Sequence, residues 1–144
     1  MKTAALKHLI ALGLAVHAAL ALATASGTPA PAVDCQQAPT TQSQLNACAF
    51  QDFEAATAAY AASYKTLSQS VGNKPRQLLR QAQTEWIQYR VKACEFEKSG
   101  VDGGSAAPMI YWQCQARMTR ERTAELQRHL DCKEGDLSCV RQPR

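Results

Sequence analysis

Three long segments of this chain carry apolar side chains at helical spacing, and they exclude a β-sheet as the main architecture. In the first segment the steps between successive apolar positions are four, four, three, four, four, three and four residues, the period of an α-helix. That stripe consists of Leu45, Ala49, Phe53, Ala56, Tyr60, Tyr64, Leu67 and Val71. Thr41 and Gln44 fit a capping box at its start, and Gly72-Asn73 predicts its end.

Two further helices follow the same logic. Asn73 is a candidate N-cap for the second, with Pro75 in its first turn, and the third is predicted from about Pro108 to Leu130 with Ser105 as candidate cap. The predicted inner stripe of the second helix is Leu79, Ala82, Trp86, Tyr89, Ala93 and Phe96. That of the third is Tyr111, Cys114, Met118, Arg122, Leu126 and Leu130. Short connections between amphipathic helices predict an all-α fold, a small three-helix antiparallel bundle.

The N-terminus has the pattern of a signal peptide. Lys2 and Lys7 precede an apolar run, Leu9–Ala23, that is shorter than the ~20 residues needed to span a bilayer. Small residues around Ala25 form a cleavage pattern, so we expect cleavage after Ala25, with an uncleaved anchor helix as the alternative. The expected product is periplasmic or secreted, with no membrane anchor. The predicted organisation is a signal peptide at 1–25, a flexible leader at 26–40, a helical domain at 41–131 and a tail at 132–144.

All six cysteines follow the predicted cleavage site, and an even count in a small exported chain indicates disulfides rather than a metal site. No pair has the close spacing of zinc ligands. If the second and third helices form a hairpin, Cys94 and Cys114 lie at matching heights. We therefore predict the pairs Cys35–Cys48, Cys94–Cys114 and Cys132–Cys139. The rival pairing joins Cys48 to the Cys94/Cys114 end.

Charge and side-chain chemistry argue against several functions. The chain carries 16 Lys and Arg against 12 Asp and Glu, and loss of Lys2 and Lys7 lowers its net charge from +4 to +2. This near balance gives no argument for nucleic-acid binding. His129 is the one histidine left after cleavage, and no nucleophile, base and orienting group assemble around it. We predict neither an enzyme nor a cofactor or metal site.

A group of large and charged residues remains as a candidate interaction or structural cluster. On the predicted register Trp86 faces Arg122, which also has Glu85 as a candidate partner, and Arg90 reaches Glu54 or Tyr60. Such arginines are interpreted either as paired structural residues or as part of a binding surface, since aromatic residues and Arg anchor interfaces. The whole candidate set is Trp86, Arg90, Gly103, Gly104, Ser105, Tyr111, Trp112 and Arg122.

An ordered series of segments resembles one family. The segments are Asp34-Cys35 through Thr41-Gln42, Leu45-Asn46-Ala47-Cys48-Ala49, Ala82-Gln83-x-x-Trp86-Ile87-x-x-Arg90-x-x-x-Cys94, Gly103-Gly104-Ser105-x-x-Pro108-Met109, and Cys114 followed by Thr119-x-x-Arg122-x-x-x-Leu126. Together they resemble the LprI-like lysozyme-inhibitor domain of exported bacterial proteins. The resemblance extends from about Asp34 to Leu130.

The resemblance implies a helical, disulfide-containing periplasmic or secreted domain with a protein partner, lysozyme or another cell-wall hydrolase. Two exposed loops are candidates for contact with such a partner. One is the 99–107 turn, and the other is an acidic loop that contains Glu134 and Asp136. The alternative function is a periplasmic accessory or stress protein that inhibits no enzyme.

Overall fold

A computed structural model describes residues 33–133 and 135–140, which form three α-helices with no strand among them. Helix α1 spans Gln42–Ser70, α2 spans Asn73–Lys98 and α3 spans Ala107–Leu130. The predicted all-α, three-helix fold is therefore confirmed. The predicted signal peptide, the leader up to residue 32, Glu134 and residues 141–144 lie outside the described residues.

Side chains fix both ends of α1. The Thr41 hydroxyl accepts a hydrogen bond from the Gln44 backbone N–H at 3.2 Å, and the Gln44 side-chain carbonyl accepts one from the Thr41 N–H at 3.1 Å. The predicted capping box is thus confirmed. At the other end, the Arg76 guanidinium of α2 donates to the carbonyls of Ser68 and Val71. Carbonyls at a helix end lack partners within the helix, so Arg76 stabilises the turn between α1 and α2.

The predicted side-chain caps of α2 and α3 were wrong. Gly72 rather than Asn73 occupies the N-cap of α2, Ala106 rather than Ser105 occupies that of α3, and neither position has a side-chain capping bond. A capping side chain normally accepts from the second or third N–H of the helix. Pro75 is the third residue of α2 and Pro108 the second of α3, so each helix lacks one of those donors.

A single 3₁₀ turn, Ser99–Val101, continues α2 into the connection with α3. Gly103 has φ +74° in this turn, a backbone conformation that favours glycine. The Gly104 N–H donates to the Val101 carbonyl at 3.0 Å, and the Ala107 N–H donates to the Gly104 carbonyl at 3.1 Å. The connection is therefore a hydrogen-bonded turn.

Contacts between the helices set their directions. Asp52 of α1 pairs with Arg120 of α3, and Leu67 further along α1 packs against Leu126 further along α3, so these two helices run parallel. Helix α2 runs antiparallel to both and packs mainly against α3. The predicted α1 stripe does face inward, with Ala49, Ala56, Leu67 and Val71 buried.

The inner face of α2 differs from the predicted stripe. Tyr89 and Phe96, predicted to be inside, are 64% and 82% exposed. The positions that face the bundle are Leu79, Gln83, Trp86, Arg90 and Cys94. Both sets follow helical steps of three and four and share Leu79 and Trp86. The sets differ because the structure turns Gln83, Arg90 and Cys94 inward where the prediction had Ala82, Tyr89 and Ala93.

The three disulfides are Cys35–Cys48, Cys94–Cys114 and Cys132–Cys139, the predicted pairs, and the described residues include no free cysteine. Cys94 and Cys114 are buried and join α2 to α3 behind the 3₁₀ turn. Cys35–Cys48 holds the segment before α1 against its second turn. Cys132–Cys139 closes a loop after α3.

Candidate functional site

Trp86 lies at the centre of the predicted cluster. Its ring stacks on Tyr60 of α1 at 5.7 Å between centroids, and the guanidinium carbons of Arg90 and Arg122 lie 4.9 and 5.9 Å from the ring centroid. These distances allow cation–π attraction on both contacts. The structure thus brings Trp86 and Arg122 together, and it places Arg90 against the same ring.

The partners of the two arginines differ from those expected. Arg90 donates to the Thr119 hydroxyl at 2.6 Å and lies 5.2 Å from the Phe53 ring centroid, whereas Glu54 and Tyr60 accept no hydrogen bond from it. Burial lowers the pKa of Arg90, because no carboxylate among the described residues compensates for its lost hydration. The flat guanidinium of Arg90 lies against the rings of Phe53 and Trp86, and these contacts explain why Arg90 faces the bundle.

Arg122 pairs with Glu125 on its own helix, at 2.6 Å, and not with Glu85 of α2. Its Nε also lies 3.4 Å from the side-chain carbonyl of Gln83. The Arg122 side chain is 17% exposed, so its stem packs inside while its charge is neutralised at the edge. These contacts are those of a structural arginine that connects α3 with α2.

Tyr60, which stacks on Trp86, has a raised pKa. Burial, followed by the charge of neighbouring Tyr64, raises the pKa of Tyr60 to about 12, although Arg122 and Arg90 act in the opposite direction. The desolvation of the phenolate outweighs two nearby positive charges. Tyr60 and Trp86 are both half-buried, which is enough to remove part of the hydration of the phenolate.

The interior around Arg90 is unusually polar. Gln83, Gln115 and Thr119 are buried, and the Thr119 hydroxyl donates to the Gln115 carbonyl at 2.7 Å. Four buried polar atoms have no partner among the described residues, namely Thr57 Oγ1, Gln83 Nε2, Arg90 Nε and Gln115 Nε2. Buried polar groups normally find a partner or an ordered water. Sequence periodicity offers no signal for Gln115 or Thr119, because it follows apolar residues.

An aromatic cluster lies at the end of the bundle that holds the starts of α1 and α3, which we call the loop end. Trp112 stacks on Phe53 at 5.1 Å and meets Phe50 and Tyr111 edge-on at 4.9 and 4.8 Å. Phe50 is 39% exposed, so the cluster reaches the surface. The sequence identified Tyr111 and Trp112 as candidates but not Phe50, which lies outside the α1 stripe.

The 99–106 turn projects from the same end. Residues 99–105 are all exposed, including Gly103, Gly104 and Ser105. The side-chain amide of Asn46 donates to the Ser105 carbonyl at 3.0 Å and so anchors the turn to α1. Together with its own hydrogen bonds and the Cys94–Cys114 bridge behind it, this contact gives a small, rigid projection beside an aromatic patch.

The acidic loop has fewer features of a contact surface than the loop end. Glu134 lies outside the described residues. The Asp136 carboxylate accepts hydrogen bonds from the Ser138 hydroxyl and N–H, and these two bonds lower the pKa of Asp136. Asp136 therefore already helps to close its own loop. The charge of His129 acts on Asp136 in the same direction.

Charged residues elsewhere form exposed ion pairs. Arg117 contacts Glu97 at 2.7 Å and Glu121 at 3.5 Å, while Arg120 contacts Asp52 at 2.9 Å. Such pairs contribute little to stability. Among the described residues no group of three or more His, Cys, Asp or Glu is placed to hold a metal ion. None of the described helices is both long and apolar enough to cross a membrane.

Comparison with known proteins places these features in a family. The family model described as "Lysozyme inhibitor LprI" matches residues 34–126, so it includes the loop end and stops before the Cys132–Cys139 loop. An uncharacterised protein of Rhizobium meliloti (strain 1021) is 34% identical over 118 residues, which cover 73% of this chain and 84% of that protein. No solved structure matches the chain. With most of its helical bundle matched in order, the chain belongs to the LprI lysozyme-inhibitor family.

Proposed function

We propose that this protein is exported and inhibits a lysozyme or a related cell-wall hydrolase, with the loop end as its contact surface. The observation that carries the proposal is the family match over residues 34–126, whose description names lysozyme inhibition. Export is supported by the signal-peptide pattern and by three disulfides, which persist in oxidising compartments. A binding role, rather than catalysis, is part of the proposal.

The loop end has two properties of an inhibitory surface. Its 99–106 turn is narrow and exposed, and the Asn46–Ser105 contact and the Cys94–Cys114 bridge hold it in place. A preordered loop loses little conformational entropy on binding, which raises affinity for a given area. Beside it, Phe50 and Trp112 supply aromatic surface of the kind that anchors protein interfaces.

The position of the match favours the loop end over the acidic loop. The matched residues stop at Leu126, so the loop closed by Cys132 and Cys139 lies beyond the part of the chain that resembles the family. Asp136 also has its carboxylate engaged by Ser138. The acidic loop is therefore the alternative contact surface.

The test is inhibition of peptidoglycan lysis by the purified, oxidised protein. Animal-type lysozyme and bacterial wall hydrolases are each titrated with the protein at several salt concentrations. Stoichiometric inhibition of at least one enzyme is expected. No inhibition of any enzyme at micromolar excess would contradict the proposal and favour an accessory role in the cell envelope.

Two matched variants locate the surface. Asp102→Arg and Asp136→Arg change the net charge equally, and both aspartates are exposed loop residues. We expect Asp102→Arg to weaken inhibition by about tenfold or more, as at an interface hot spot, and Asp136→Arg by less than about threefold. The reverse order would leave inhibition in place and assign it to the acidic loop.

A further inference from the structure

The opposite end of the bundle contains an apolar groove. It lies where the end of α1, the start of α2 and the end of α3 meet, and we call this region the groove end. The groove encloses about 440 Å³. Leu67 and Val71 of α1, Leu78 and Leu79 of α2 and Val140 of the C-terminal segment form its apolar walls. Small-molecule sites in proteins have volumes of roughly 300–1,000 Å³.

The apolar walls are only partly covered by the protein itself. Leu78 is 56% exposed and Val140 is 42% exposed, although both border the groove. Leu67 and Val71 behind them are buried and belong to the aliphatic core cluster. The groove thus joins the core to the surface, and a hydrocarbon chain within it gains contact with both.

The charged groups around the groove have one sign. Lys74, Arg122 and His129 line it, and no lining residue is acidic. Arg122 is neutralised by Glu125 at 2.6 Å. Lys74 forms no ion pair with a carboxylate of the described residues. His129 interacts electrostatically with Asp136 of the loop after α3.

We propose that this groove binds one fatty acid of about twelve carbons, with the alkyl chain against Leu67, Leu78 and Leu79 and the carboxylate at Lys74. Apolar walls favour a hydrocarbon, and an unpaired ammonium at the edge favours an anionic head group. The proposal does not rest on inhibition of a hydrolase, since the groove lies at the end of the bundle opposite the 99–106 turn.

The C-terminal loop completes one wall. Val140 follows directly after Cys139, whose bridge to Cys132 joins the segment to the end of α3. The disulfide therefore holds Val140 over the groove.

The probe is dodecanoate, added below its micelle concentration to the delipidated, oxidised protein and followed by isothermal titration calorimetry. Dodecanol and dodecyltrimethylammonium are controls with a twelve-carbon chain and a neutral or a cationic head. We expect saturable binding of one dodecanoate, weaker binding of dodecanol and no saturable binding of the cation. Absence of saturable dodecanoate binding, or equal binding of all three, would overturn the proposal.

Substitutions in the groove test where dodecanoate binds. Leu78→Gln should weaken dodecanoate binding by at least about tenfold, and Lys74→Ala by about fivefold with little effect on dodecanol. Ile87→Gln and Lys92→Ala are the matched controls, because both are exposed residues of α2 outside the groove. Near-ultraviolet circular dichroism verifies the fold of each variant. Undiminished binding by folded Leu78→Gln, or equal losses in the controls, would assign the ligand to another site and overturn the proposal.

Discussion

The two ends of this small bundle are stabilised by different interactions. At the loop end, Arg90 lies between aromatic rings, polar side chains fill the interior, and Cys94–Cys114 joins two helices. At the groove end, Leu67, Val71 and Leu126 form an aliphatic cluster, and the Cys132–Cys139 bridge lies in the loop after α3 rather than between two helices. The core of the loop end therefore depends on directional contacts and a disulfide between helices, and the core of the groove end on apolar burial.

This difference suits the roles proposed for the two ends. Directional contacts and a disulfide keep the backbone of a turn in one conformation, which favours recognition by a rigid surface. Aliphatic packing tolerates changes in shape at its edge, which favours a site for a flexible chain. Each of the following predictions separates the two ends by a measurement on folded protein.

The largest effect is expected from removal of the loop-end disulfide. Replacement of both Cys94 and Cys114 by Ala should lower the free energy of unfolding by about 2–5 kcal/mol, because the bridge closes a loop between two buried positions. Replacement of Cys132 and Cys139 should cost less, since that bridge closes a shorter, exposed loop. Urea unfolding measures both, and equal losses would contradict a special role for Cys94–Cys114.

At the groove end, Leu67→Ala should cost about 3 kcal/mol. Leu67 is 1% exposed and packs in the aliphatic cluster, so truncation leaves a cavity. Phe96→Ala is the control, because Phe96 is largely exposed and its loss should change stability by less than about 0.5 kcal/mol. A Leu67→Ala protein as stable as the control variant would show that the aliphatic cluster does not stabilise this end.

The charge and the stem of Arg90 can be separated. Arg90→Ala should cost about 2 kcal/mol, because the stem packs between Phe53 and Trp86. Arg90→Met keeps an apolar stem and removes the buried charge, and the Thr119 hydroxyl retains its bond to Gln115, so the cost should stay below about 1 kcal/mol. Equal losses in thermal or urea unfolding would assign the stabilisation to the charge instead.

The smallest effect is a loss of stability at high pH. The pKa of Tyr60 is raised to about 12, so the folded state keeps its proton at a pH where the unfolded state loses it. Stability from this group is complete below about pH 10 and is lost as the pH rises towards 12. Unfolding at pH 8, 10 and 11.5 should show a shallower decline for Tyr60→Phe than for the wild type.

The control for that experiment is Tyr89→Phe. Tyr89 lies on the outer face of α2, so its removal should leave the decline at high pH unchanged. A decline that is the same in Tyr60→Phe as in the wild type would show that burial beside Trp86 does not raise the pKa of Tyr60.

The sequence predicts helix positions and disulfides well for physical reasons. The α1 stripe, the Thr41 capping box and the Cys94–Cys114 bridge depend on local spacing and on the geometry of a hairpin. Which face of α2 turns inward depends instead on the side chains that α1 and α3 place against it. Arg90 turns into the bundle and is half-buried because Phe53 and Thr119 are placed to receive it, and no pattern within α2 contains that information.

The candidate site was only partly predictable for the same reason. Trp86 and Arg122 meet as the register predicted, yet Arg122 pairs along its own helix, because Glu125 is one turn away and needs no second helix to hold it. Phe50 joins Tyr111 and Trp112 only because α1 and α3 run side by side at the loop end. The groove depends on how far three helices diverge, which spacing does not specify.

Hydrogen–deuterium exchange in the presence of a lysozyme that the protein inhibits tests the central claim most directly. We expect the lysozyme to slow exchange in peptides that cover residues 45–53 and 99–112 and to leave exchange in residues 67–82 unchanged. Slowing confined to residues 67–82 or to the Cys132–Cys139 loop, with the 99–112 peptides unaffected, would contradict recognition by the loop end.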